Sequence, residues 1–216
     1  MKKIRVILLT ILCVFCGLFF SCQKHSDLSK YIVNLQSDIF YGENGDIKLK
    51  GGYSYCLEQG EKVYFLTFKL LEKEMDNASY SISFMLDKEY SSTFSLSPVT
   101  NSLTTKVEVV PFSQKEFTVN VFVGSERYDI NMLSLLPSSV VSPVDGVNSL
   151  LDSQPELINL YKNENGGYDL SIEVRIIVKN EKAFYYVGLI DKNKQLKALL
   201  IDGQTKEVLA IRNIFS

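Results

Sequence analysis

Imidazoles and thiols are the side chains most easily tuned for acid–base or nucleophilic chemistry near neutral pH. This sequence carries one of the first, His25, and four of the second, Cys13, Cys16, Cys22 and Cys56. Cys13 and Cys16 have the C-x-x-C spacing of a redox pair, but they lie inside an uncharged apolar run, Val6 to Phe20. Cys56 stands in "YSYCLEQ", an apolar, strand-like stretch where burial suppresses the thiolate. It is expected to act as a small buried hydrophobe, and no base is in view to activate it. His25 lies close to the amino terminus, outside any expected fold, so a Ser-His-Asp arrangement is not expected. One histidine and one spare thiol cannot assemble a zinc set, which leaves carboxylates. "DKNKQLKALLID" mimics a calcium loop, with Asp191, Asn193, Gln195 and Asp202 at ligand positions. The sharp turn of such a loop needs glycine where Leu196 stands, and the surrounding alternation reads as a hairpin. No G-x-G-x-x-G or P-loop pattern occurs. Catalytic residues, a metal site and a cofactor are therefore not expected. Two approaching carboxylates, as in a glycan hydrolase, stay open as an alternative, because spacing alone does not reveal them.

The chemistry that is expected concerns Cys22. Lys2, Lys3 and Arg5 precede the apolar run, which is too short to span a bilayer as a helix and has the flanks of a secretory signal. Phe19-Phe20-Ser21-Cys22 resembles the lipobox of bacterial lipoprotein precursors. That resemblance implies acylation of the Cys22 thiol, cleavage before it, and acylation of the new amino terminus. In that family an Asp at the second mature position retains the protein in the inner membrane. Gln23 stands there, so the resemblance implies a lipid-anchored protein of the bacterial cell envelope, sorted to the outer membrane.

The elements that would stand beyond this anchor are mostly strands. Tyr80, Ile82, Phe84 and Leu86 alternate with polar residues, as do Phe117, Val119, Val121 and Val123. A period of two belongs to a half-buried strand. "KVEVV" and "YDINMLSL" repeat it, and "KVYFLTFKLL" is apolar on both faces, as a central strand would be. Turn residues separate these runs at 42–46, 58–62 and 97–98. The pattern predicts a mainly β protein whose residues 30–138 form an immunoglobulin-like sandwich, after a signal at 1–21 and a lipidated tether at 22–29. The Pro- and Ser-rich stretch 137–146 reads as a domain boundary. Ser142 and Pro143 could open a short helix, with Val147, Leu150 and Leu151 facing inward. A small α+β antiparallel domain over 143–216 would follow, with turns at 163–167, 180–181, 191–193 and 202–205.

Within it, "YYVGLIDKNKQLKALLIDGQTKEVLAI" resembles the C-terminal half of the PepSY domain, a helix-plus-sheet module of exported bacterial proteins. The frame Asp-x-x-Thr-Gly-x-Val is met by Asp202, Thr205 and Val208, with Lys206 in place of the glycine. Some PepSY members are proposed protease inhibitors, so the resemblance implies an inhibitory or accessory role as an alternative.

Charge narrows the partners. The whole chain has 23 basic and 25 acidic residues, and loss of the signal would remove only basic ones. A nucleic-acid partner, which wants a basic stripe, is not expected. The reading is a non-catalytic binding or scaffold protein, held to the membrane by its lipid, with a protein or glycan partner. Tyr53 and Tyr55 share a strand face, while Tyr185 and Tyr186 face opposite ways, one to the core and one to the surface.

Overall fold

The computed structural model describes residues 27–71, 79–98 and 100–214. Cys13, Cys16, Cys22 and His25, and with them the expected signal and lipidation site, lie outside the described residues. The fold is already under way at Asp27, which accepts the Ser29 N–H at 2.9 Å. Leu28 opens a 3-10 turn, Leu28–Tyr31, and is fully buried. Its N–H donates to Asn148 Oδ1 at 2.9 Å. An apolar side chain next to a forming core goes inside it, so the tether expected to reach residue 29 ends sooner.

Strand β1 (Ile32–Asn44) runs through the whole molecule, and its partners change along its length. Along one edge it pairs antiparallel with β2 (Ile47–Glu58), Asn34 opposite Cys56 and Asn44 opposite Ile47. On its other edge, the first part is parallel to β10 (Leu170–Lys179), with Leu35 opposite Val174. The last part is antiparallel to β9 (Glu126–Ser134), with Phe40 opposite Ser134. A register shift between Gln36 and Asp38 marks the fork, where the extra residue of a bulge bends the strand from one neighbour to the next.

Beyond the fork the sheet curls round. From β2 it continues to β3 (Glu61–Leu70) and β7 (Ser102–Val109). From β9 it continues to β8 (Glu116–Val123), β4 (Tyr80–Met85) and β5 (Glu89–Thr93). The two arms meet through one segment. After β5 the chain passes Phe94 and becomes β6 (Ser95–Ser97), which pairs with β7 instead of β4. A Ser92–Thr105 hydroxyl contact of 2.7 Å ties β5 to β7 at the seam. The strands expected to stack as an immunoglobulin-like sandwich thus wrap into a nearly closed barrel. Its interior is filled by Phe40, Phe68, Phe84, Phe117, Val119 and Met132. The alternating positions 80, 82, 84, 117, 119 and 121 all point into this core.

After β9 come three short helices and a meander. Ser142 caps helix α1 (Pro143–Asn148), accepting the Asp145 N–H as its sequence predicts. Helices α2 (Leu150–Ser153) and α3 (Pro155–Asn159) follow. Strands β10, β11 (Lys182–Asp191), β12 (Leu196–Asp202) and β13 (Val208–Ile214) pair in order, antiparallel. Asn180 and Glu181 form a two-residue hairpin with φ of 51° and 61°, which suits the right-handed twist of the strands. Val147, Leu150 and Ile158 from the helices pack on Ile172, Val174, Tyr185, Val187 and Ile201. This second core also takes Leu28, Ile32, Leu35, Ile39 and Tyr55 from the first part of the chain. Tyr64 packs against both cores. Its ring lies 6.0 Å from that of Tyr53 and 5.8 Å from that of Tyr55.

Candidate functional site

Among the described residues, those singled out for chemistry have structural employment. Cys56 lies on β2, half-buried rather than fully buried as expected. Its thiol donates to Glu58 at 3.4 Å, and burial, followed by that carboxylate, raises its pKa, the opposite of what a nucleophile needs. Asp191 accepts the N–H groups of Asn193 and Gln195, each at 2.8 Å, and so closes the β11–β12 hairpin. Asp202, at the other end of the calcium-like stretch, accepts from Gln204 and Thr205 and shapes the next turn. These N–H donors hold its carboxyl below the usual range. Tyr53 and Tyr55 do share a face, but both are buried. Tyr185 is core and Tyr186 half-exposed, as their alternation predicts.

One carboxylate is deeply placed. Asp38, 5 % exposed, sits at the fork in β1. Its Oδ1 accepts from the Ile39 N–H at 2.8 Å and Ser134 Oγ at 2.7 Å, and Oδ2 takes Lys115 Nζ at 2.6 Å. Every partner is a donor, and two of them, Ser134 and Lys115, come from other segments, so Asp38 clips β1 to β9 and to the turn before β8. Fully satisfied, it is a staple.

Two open grooves are large enough for a ligand. One, of about 580 Å³, lies beside the β11–β12 turn and is lined by Tyr161, Lys162, Asp169, Asp191, Lys192 and Lys197. Its charges are mixed, and Asp169 is bound by Asn163 at 3.0 Å with Lys192 at 3.9 Å.

The other groove, of about 510 Å³, crosses the outer face of β2, β3 and β7. Gly52 leaves part of its floor without a side chain, whereas the missing side chain of its neighbour Gly51 is on the barrel side, against Met132, Phe40 and Phe68. Gln36 lies over that floor for a reason set at the fork. Where β1 turns away from β10, the Ile176 N–H has no strand to bond, and Gln36 Oε1 accepts it at 2.9 Å. A Cβ on Gly52 would come within 2.7 Å of Gln36 Nε2 and 3.1 Å of Thr67 Oγ1, so glycine there makes room for the amide. With the oxygen committed, the Gln36 NH₂ faces the groove. Lys50 lies directly opposite Lys69 in the β2–β3 register, and Lys106 lies opposite Thr67 in the β3–β7 register. Lys106 Nζ sits 3.3 Å from the centre of the Phe65 ring. Thr104 and Ser95 complete the rim.

No protein-family profile, curated protein or solved structure matches the chain. Lys106 stands in the alternating run "KVEVV", and Lys69 stands in a run that reads as apolar on both faces, so neither is marked in sequence as part of a site. Their convergence depends on register between strands, which no local pattern states. The signal that could have pointed there is "KLKGG", a pair of adjacent glycines inside a strand, which marks a close approach to the backbone.

Proposed function

We propose that this chain is a lipid-anchored cell-envelope protein that binds a partner and does not transform it. The observation that supports it is where the space lies. The barrel is packed shut inside, whereas its outer face carries an open groove lined by an amide, three ammonium groups and several hydroxyls. A filled barrel offers no sheltered interior in which to shift a catalytic pKa. The Asp169 and Asp191 carboxylates of the other groove are engaged by Asn163 and by turn N–H groups. An exposed sheet face is a surface for recognition. The anchor rests on the basic start, the apolar run and Ser21-Cys22. No helix among the described residues is long and apolar enough to cross a membrane.

A second reading is an accessory or inhibitory PepSY-like role for 143–216, and two observations favour it. Lys206 has φ of 64°, a left-handed backbone that favours glycine, at the position where the motif carries Gly. Helices followed by a four-stranded meander also suit a helix-plus-sheet module.

Labelling cells with a fatty-acid analogue tests the anchor: wild type takes the label, and Cys22→Ala does not and accumulates as precursor. Equal labelling of both would remove it. Turnover of any glycan or peptide in a panel by the purified chain, lost on Cys56→Ser, would overturn the binding reading.

A further inference from the structure

The groove over Gly51 and Gly52 holds an arrangement that costs the folded protein stability. Like charges directly opposite one another on neighbouring strands are destabilising, and Lys50 faces Lys69 in this way. Lys48, two residues earlier on β2, faces Glu43, so the same sheet shows the ordinary solution. Lys106 adds a third positive charge diagonal to Lys69. Among the described residues, no carboxylate forms an ion pair with any of the three. Glu108, further along β7, lies opposite Phe65 rather than among the lining residues. This concentration stands on a chain whose net charge is −2, so it is not the spill of a generally basic surface.

We propose that this groove binds an acidic polysaccharide, with Lys50, Lys69 and Lys106 meeting its carboxylate or sulfate groups. The proposal rests on the binding reading above and names the ligand class of that face. The three lysines stand on three neighbouring strands, with Lys106 two residues off the Lys50–Lys69 level and its ammonium drawn over Phe65, which spreads them over more than roughly 10 Å. That is wider than one small anion bridges and suits successive charges along a chain. Between them, the Gln36 NH₂ can donate to a neutral sugar hydroxyl, and the Thr67 and Ser95 hydroxyls, which already donate to the Gly52 and Thr104 carbonyls, can accept from one. An ammonium is a point charge, suited to scattered anions, where an arginine fork would select a planar or phosphate group. The groove lacks the alternating side-chain pockets with which a sheet reads an acidic peptide, and lacks the row of stacking rings that a single-stranded nucleic acid uses.

The test is titration of the purified full-length chain with polygalacturonate and heparin oligosaccharides. Dextran, polyglutamate and inorganic phosphate are the comparison arms. Binding of an acidic glycan is expected, weakening as salt rises, with dextran inert. Lys69→Glu is the informative variant, because it replaces a like pair by an opposite one. It should lower affinity at least tenfold while the melting temperature stays level or rises, which a merely unfolded variant cannot imitate. Lys179→Glu, an exposed charge reversal at the end of β10, should change nothing. Loss of binding in Lys179→Glu as well would reduce the effect to diffuse charge and overturn the site. Full binding by Lys69→Glu would overturn the site while leaving the binding reading in place. Polyglutamate or phosphate binding as tightly as the glycans would overturn the ligand class, and so would failure of either glycan to bind.

Discussion

Cutting the chain at its Pro/Ser-rich junction should give two fragments with unlike fates. Residues 27–138 contain every buried side chain of the barrel core, which runs from Phe40 to Met132. Residues 143–216 do not contain their own core. Leu28, Ile32, Leu35 and Ile39, each no more than 3 % exposed, come from the other side of the cut, as does Tyr55. Full burial of one such aliphatic side chain contributes about 2 kcal/mol, so the four together contribute about 8 kcal/mol. A domain's whole stability is about 5–15 kcal/mol. The C-terminal fragment also loses β1 as the neighbour of β10, leaving a parallel-paired edge bare. It is therefore expected to be unfolded alone, with no cooperative urea transition by circular dichroism, whereas 27–138 folds. Mixing the two should restore structure to the C-terminal fragment, because the missing side chains and the missing strand arrive together. Protease should still cleave intact chain at the exposed Ser138–Ser139 turn without releasing the pieces. A native-like, cooperatively melting 143–216 fragment would refute the reasoning and establish two independent domains.

Three further outcomes follow from single contacts. Gly146→Ala places a Cβ 2.8 Å from Cδ2 of the buried Tyr185 ring; overpacking of about 2 kcal/mol outweighs the roughly 1 kcal/mol gain in helix propensity, so the urea midpoint should fall, and a rise would show that α1 can slide. Asp38→Ala strips the Ile39 N–H, Ser134 and Lys115 of a shared acceptor and should cost about 2–3 kcal/mol, against under about 1 kcal/mol for Lys115→Ala, whose side chain is 67 % exposed; equal costs would contradict the staple. Burial, then the nearby charge of Asp145, raises the pKa of Tyr185, whose hydroxyl donates to the Val141 carbonyl. Its folded pKa exceeds the unfolded value of about 10, so its contribution is complete below that pH and is lost as pH rises beyond it. Tyrosinate absorbance should show at least one tyrosine ionising only as the fold melts, and titration of all twelve with the circular dichroism unchanged would contradict that.

What was legible in the sequence was whatever is decided within a few residues. The strands at 80–85 and 116–123 announce themselves by alternation, and α1 by Ser142-Pro143. The hairpins at 180–181 and 191–195 follow from turn chemistry. Closure of the barrel was not legible. It depends on the switch of partners at Phe94, where Thr93-Phe94-Ser95 carries no glycine or proline to mark a corner. The fork of β1 was hidden for a related reason. Its parallel pairing with β10 joins residues more than a hundred positions apart, and the bulge before Asp38 breaks a run with no breaker residue in it. The groove inherits both obscurities, since the fork places Gln36 and the register places the lysines.

The burial of Leu28 has a geometric consequence for where such a molecule can act. Under the proposed anchoring, only five peptide units separate the acylated Cys22 from Asp27, beside which the fold takes hold. Fully extended, they reach at most about 18 Å, whatever path they take. That is a leash shorter than the folded body it holds. The body can swivel about its attachment, but the end that carries Asp27 stays within that distance of the lipid, so its reach is set by its own dimensions and not by the tether. Lengthening this leash with a flexible insert would widen its territory without altering a single contact inside the fold.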